Sequence, residues 1–80
     1  MTSATRTELT TVLNICRQNV KDPYALSYLS TDAFETAEEL YGESALSTQL
    51  FYALNNMNSW KGPLARETKA RIKKLIVVLE

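Results

Sequence analysis

The chain has 80 residues, 45% hydrophobic and 22% charged, with nine bases balancing nine acids and no histidine. One domain, residues 1–80, is expected; the apolar share excludes a disordered tail, and the charge balance excludes a wholly basic nucleic-acid binder or an acidic tail. The lone Cys16 excludes an internal disulfide and a Cys/His zinc site, and the longest apolar run, Leu75 to Leu79, is far short of the roughly 20 residues that cross a bilayer.

From about residue 5 to residue 20, Leu9, Val12, Leu13, Cys16 and Val20 recur on one face of a 3.6-residue helix, and Thr5-Arg6-Thr7-Glu8 has capping-box spacing. Cys16 lies on that stripe and reads as a buried structural thiol, with no basic cluster beside it to stabilise a thiolate. Asp22-Pro23 then starts a second helix, since aspartate caps and proline at the first helical position forfeits no hydrogen bond. Leu26, Leu29, Ala33, Ala37 and Leu40 keep one stripe up to Gly42. Ser30-Thr31-Asp32, with Glu35, offers a competing cap, but the unbroken stripe favours one helix over 23–41 with Gly42 as its left-handed terminator. Phe34 and Tyr41 sit on a flank of this helix and suit either an extension of the core or a partner.

A third helix is expected over 44–56, carrying Leu46, Leu50, Ala53, Leu54 and Met57, and the run Asn55-Asn56-Met57-Asn58-Ser59 ends it. Gly62-Pro63 opens a fourth over 63–79, with Leu64, Ala65, Thr68, Ile72, Leu75, Ile76 and Leu79 on its apolar side. No segment alternates as a strand does. The fold expected is all-α, a small bundle of about four helices at 5–20, 23–41, 44–56 and 63–79.

Charge is zero in sum but sorted along the chain. Between residues 32 and 43 stand five acids and no base; between 61 and 74 stand six bases and one acid. Asp32, Glu35, Glu39 and Glu43 fall opposite the apolar stripe of the second helix, and Tyr24 and Tyr28 flank that outward side. Arg66, Lys69 and Lys73 form the outward side of the last helix, continued by Val77. These faces are either solvated or complementary to each other or to a partner. Exposed pairs contribute only about 0–1 kcal/mol each, so their value lies in orientation and partner choice.

Catalysis is not expected. Without histidine, acid–base work needs a tuned carboxylate pair, Lys, Tyr or Cys in a cleft. The Glu35/Glu38/Glu39 cluster lacks the Glu-x-x-His element of helical di-metal centres, and the two glycines stand too far apart for a phosphate loop. No metal and no cofactor is expected. The segment Ala37 to Ser44 has the outline of a helix-turn-helix start, but the helix after it, 44–56, has no Lys or Arg to meet phosphate or guanine. Nucleic acid is better served by the last helix, with Trp60 as a stacking candidate beside its bases. The competing reading makes Trp60 the closure of one end of the bundle.

Gln49-x-x-Tyr52-x-Leu54-Asn55, followed by Trp60-x-Gly62-x-x-Ala65-Arg66-x-x-Lys69, resembles short uncharacterised helical proteins of bacteriophages and other mobile elements. Asp22-Pro23-Tyr24-Ala25 and Tyr28 add to the similarity. The resemblance implies a setting in which a small chain acts by binding a host or phage protein, and it brings no catalytic residue with it.

The function expected is a non-enzymatic protein-interaction module, regulatory or inhibitory if the phage-type resemblance holds. Its candidate contact residues are Tyr24, Tyr28, Asp32, Glu35, Glu39 and Glu43; one mechanism for such an acidic face is occupation of a basic channel on the partner. The alternatives are a nucleic-acid accessory protein using Trp60, Arg66, Lys69 and Lys73, and a structural homo-oligomer. The opening Met1-Thr2-Ser3-Ala4-Thr5-Arg6 has no apolar stretch, so no secretory signal is expected, no membrane is a partner, and the location expected is cytoplasmic.

Overall fold

Thr2, rather than Thr5, caps the first helix: its Oγ1 accepts from the Thr5 N–H at 3.1 Å. In the computed structural model, which describes residues 1–80, the chain forms α1 (Ser3–Asn19), α2 (Pro23–Tyr28), α3 (Thr31–Tyr41), α4 (Ser44–Asn55) and α5 (Pro63–Leu79), with no strand. The architecture is therefore an all-α small bundle. Moving the cap to Thr2 puts Glu8 in the second turn of α1, too far in to cap, and its carboxylate turns outward to Arg71 of α5.

The segment 23–41, expected as one helix, is two. Leu29 closes α2 with its N–H on the Leu26 carbonyl at 3.1 Å. Ser30 is then extended, at φ −65° and ψ 146°, and its Oγ accepts from the Ala33 N–H at 3.1 Å. The fresh cap prevails over the continuous stripe for two physical reasons. Asp32 adds a carboxylate to the first turn of α3, where the helix dipole favours negative charge. In addition, the carbonyls that the break strips of helical partners find side chains: Arg17 Nε donates to Leu29 O at 2.7 Å and Gln49 Nε2 to Tyr28 O at 2.9 Å.

The break resets the helical phase. Ala33 and Ala37 stay on the inner side as the stripe predicts, Phe34 and Glu38 join them, and Leu40, expected on the core stripe, is exposed. Phe34 joins Leu9, Leu13 and Leu46 in the core. Tyr41 lies two turns further along the same side yet is 75% exposed, at the end of α3 where the chain turns away through Gly42. Gly42 has φ 86° and ψ −177°, a conformation open in practice only to glycine.

The hub of the bundle is α4, which packs on α5, α3 and α2, while α1 lies against α5. Its Leu46, Leu50 and Ala53, with Met57 just beyond, meet Val12 and Cys16 of α1 and Ile72, Leu75 and Leu79 of α5 in one apolar cluster. Each large side chain buried there contributes about 1.5–3 kcal/mol. Polar groups of α1 fasten it to the rest: Arg6 to Glu38 of α3, Glu8 to Arg71 of α5, and Arg17 to the α2–α3 junction.

Candidate interaction surface

The acidic residues named from the sequence divide between two elements. Asp32, Glu35 and Glu39 are exposed on α3, and Glu43 is exposed in the turn before α4, where it meets the Met1 amine. Tyr24 and Tyr28 do not share their helix, because the break at Leu29–Ser30 places both on α2. The one acid of this group that turns inward is Glu38, whose carboxylate receives Arg6 Nη2 at 2.8 Å. That hydrogen bond, reinforced by the guanidinium charge, holds Glu38 below the usual carboxylate range. Behind the pair lies a groove of about 160 Å³ between α1 and α3, floored by Leu9, Leu13, Phe34 and Leu46 and rimmed by Arg6, Arg17, Glu35 and Glu38.

The basic face is thinner than the sequence suggests. Lys69, expected to point outward, is half-buried: its ammonium donates to Met57 O at 2.7 Å and Trp60 O at 2.6 Å and stands 6.0 Å from the Trp60 ring centroid. It thus closes the α4–α5 connection, satisfying carbonyls that no helix supplies with donors. Arg71 is bidentate to Glu8, with Nε–Oε2 at 2.8 Å and Nη2–Oε1 at 2.5 Å, and this pairing lowers the Glu8 pKa. Lys61, Arg66, Lys73 and Lys74 remain exposed. Trp60 packs partly against the core, between one open notch lined by Lys61, Arg66 and Lys69 and another lined by Lys21 and Lys61.

A different surface emerges where α2 meets α4. Tyr28, 36% exposed, lies with its ring centroid 6.3 Å from that of Tyr52, and Tyr52 lies 6.3 Å from Phe51 in an edge-to-face arrangement. Phe51 is 52% exposed and Tyr52 50%. Tyr24, one helical turn before Tyr28 on the same side of α2, is 77% exposed. These rings come from the two longest charge-free stretches of the chain, residues 23–31 and 44–60. The fold brings the two together, and the hydrogen bond from Gln49 to Tyr28 O fixes α2 on α4.

Tyr24 and Tyr28 are thus the members of the sequence-derived contact set that the structure places on this face; Phe51 and Tyr52 stand outside that set, although six Tyr and Phe rings exceed what one small core buries. The signal that could have found them is the absence of charge over 44–60 in a chain 22% charged. Depletion of charge with enrichment of Tyr, Phe and Trp is the composition of an interface centre.

Cys16 is fully buried and desolvation pushes its thiol up to about 11. No three His, Cys, Asp or Glu side chains converge to hold a metal ion, and no helix is long and apolar enough to cross a membrane. Comparison of the chain with models of protein families, with curated proteins and with solved structures yields no match.

Proposed function

We propose that this protein is a small non-enzymatic interaction module whose contact surface is the aromatic face of α2 and α4. The single observation behind the reading is the meeting of two charge-free stretches in one exposed cluster of rings, Tyr28, Phe51 and Tyr52, with Tyr24 exposed one turn before Tyr28. Aromatic side chains present large apolar area at low conformational cost, and their truncation dominates alanine scans of interfaces. The acidic face of α3 then serves solubility and the fastening of α1 rather than recognition. The test is affinity capture with the native chain beside Phe51→Ser/Tyr52→Ser and Glu35→Lys/Glu39→Lys variants of equal helicity. Partners lost with the first variant and kept with the second are the result expected. Retention by the first and loss with the second would return the contact to α3.

A second reading, nucleic-acid binding, draws on the notches beside Trp60 and their Lys21, Lys61 and Arg66 side chains. It requires a mobility shift with single-stranded DNA or RNA that falls steeply between about 50 and 200 mM salt. A shift absent at low salt removes it.

A further inference from the structure

We propose that the aromatic face pairs with the same face of a second copy of this chain, α4 against α4 about a two-fold axis; the proposal rests on the interaction reading above. A two-fold axis sets each residue near it against its own symmetry mate, so a charged side chain there meets its own sign. The outward sides of α3 and α5 fail on this ground: Glu35 and Glu39 would face carboxylates, and Arg66 and Lys73 would face cations. The helix α4 has no charged residue from Ser44 to Asn55, and α2 has none from Pro23 to Tyr28. No other pair of packed helices in the chain shares that property.

The polar groups on the face are self-complementary as well. The exposed groups of Thr48, Asn55 and the tyrosine hydroxyls each donate and accept, so any of them can pair with its own copy. An ammonium only donates and a carboxylate only accepts, which is why neither suits an axis.

Size is consistent with the same occupant. At about 150–250 Å² per aromatic side chain, the exposed fractions of Tyr24, Tyr28, Phe51 and Tyr52 amount to roughly 300–550 Å². A standard interface removes about 800 Å² from each partner. The four rings thus supply close to half of what a stable pair needs before Thr48, Asn55 and their neighbours are counted. A chain this short also buries a small share of its surface alone, so association adds apolar burial that the single domain lacks.

The experiment is light scattering or sedimentation equilibrium on the native chain from micromolar to millimolar concentration, at low and high salt. The expected result is a monomer–dimer equilibrium that salt does not weaken, because no charge pair holds it. Thr48 is exposed three and four residues before Phe51 and Tyr52, on the same side of α4, so Thr48→Lys and Thr48→Glu each set like charges within the paired faces, and each weakens dimerisation about tenfold or more. An equimolar mixture of the two restores a one-to-one dimer, which only face-to-own-face pairing predicts. Circular dichroism of both variants confirms that the exposed substitution leaves the helices intact. A native chain monomeric at every concentration overturns the pairing and leaves the interaction reading to the capture experiment. Dimers that survive both charges overturn the pairing and the choice of face together.

Discussion

The helices α3 and α4 adjoin through Gly42 and Glu43, yet they present opposite surfaces. Along α3 stand Asp32, Glu35, Glu38 and Glu39; along α4 there is no charge at all, and Phe51 and Tyr52 lie half in solvent. The contrast separates two uses of surface in a small protein. Charges on α3 are either hydrated or, at Glu38, used to hold α1 by Arg6, so their needs are met within the chain and its solvent. The rings of α4 are met by nothing comparable. An exposed carboxylate gains little by docking because it already has water, whereas an exposed ring cluster gains by leaving water.

Substitutions on the two helices break or sharpen this contrast. The largest effect is inside α3: Phe34→Ala removes a core ring and costs about 3–5 kcal/mol in urea unfolding, whereas Phe51→Ala on α4 stays within about 1 kcal/mol. Equal costs would mean that the α4 rings are part of the core. Next, Arg17→Met leaves Leu29 O without its donor at the α2–α3 break and costs about 1–3 kcal/mol by the same measurement. A neutral result would show that water reaches the junction and that the break does not depend on α1.

The ion pairs give a pH dependence of known sign. Glu8 and Glu38 both have folded pKa values below the ordinary 4.5, Glu8 through its bond to Arg71 and Glu38 through its bond to Arg6. A lowered folded pKa stabilises the fold above the unfolded value and loses that stabilisation as pH falls through the folded one. Thermal melts of the native chain therefore decline below about pH 4.5, and an Arg6→Met/Arg71→Met variant shows a shallower decline. Identical slopes would place the acid sensitivity elsewhere. The smallest effect is at Thr68, fully buried in α5 with an Oγ1 that has no hydrogen-bond partner. Thr68→Val is neutral or stabilising by up to about 1 kcal/mol, and a marked loss would reveal a partner for that hydroxyl.

Helix class and most boundaries were legible because the apolar spacing, Asp22-Pro23, Gly42 and Gly62-Pro63 are local signals. The split of the second helix was visible only as an ambiguity. Ser30 and Asp32 marked a cap, but the donors that make the break tolerable, Arg17 and Gln49, lie 12 and 21 residues from the carbonyls they serve. A continuous stripe puts Leu40 inward and Phe34 on a flank, whereas the break exposes Leu40 and buries Phe34. Likewise Lys69 looked like a surface base because its targets, Met57 O and Trp60 O, are backbone groups of a loop. Tyr24 and Tyr28 were recognisable as exposed aromatics. Their union with Phe51 and Tyr52 depends on the packing of α2 on α4, which no spacing rule contains.

The most direct test of the contact surface is a dilution series of ¹⁵N-labelled native protein, following backbone amide shifts from millimolar to low micromolar concentration. The account predicts concentration-dependent shifts confined to the neighbourhood of Tyr28, Thr48, Phe51, Tyr52 and Asn55, with the amides of Glu35, Glu39, Arg66 and Lys73 unmoved. Shifts centred on α3 or α5 would contradict the choice of face, and a spectrum that does not change with concentration would contradict the self-pairing.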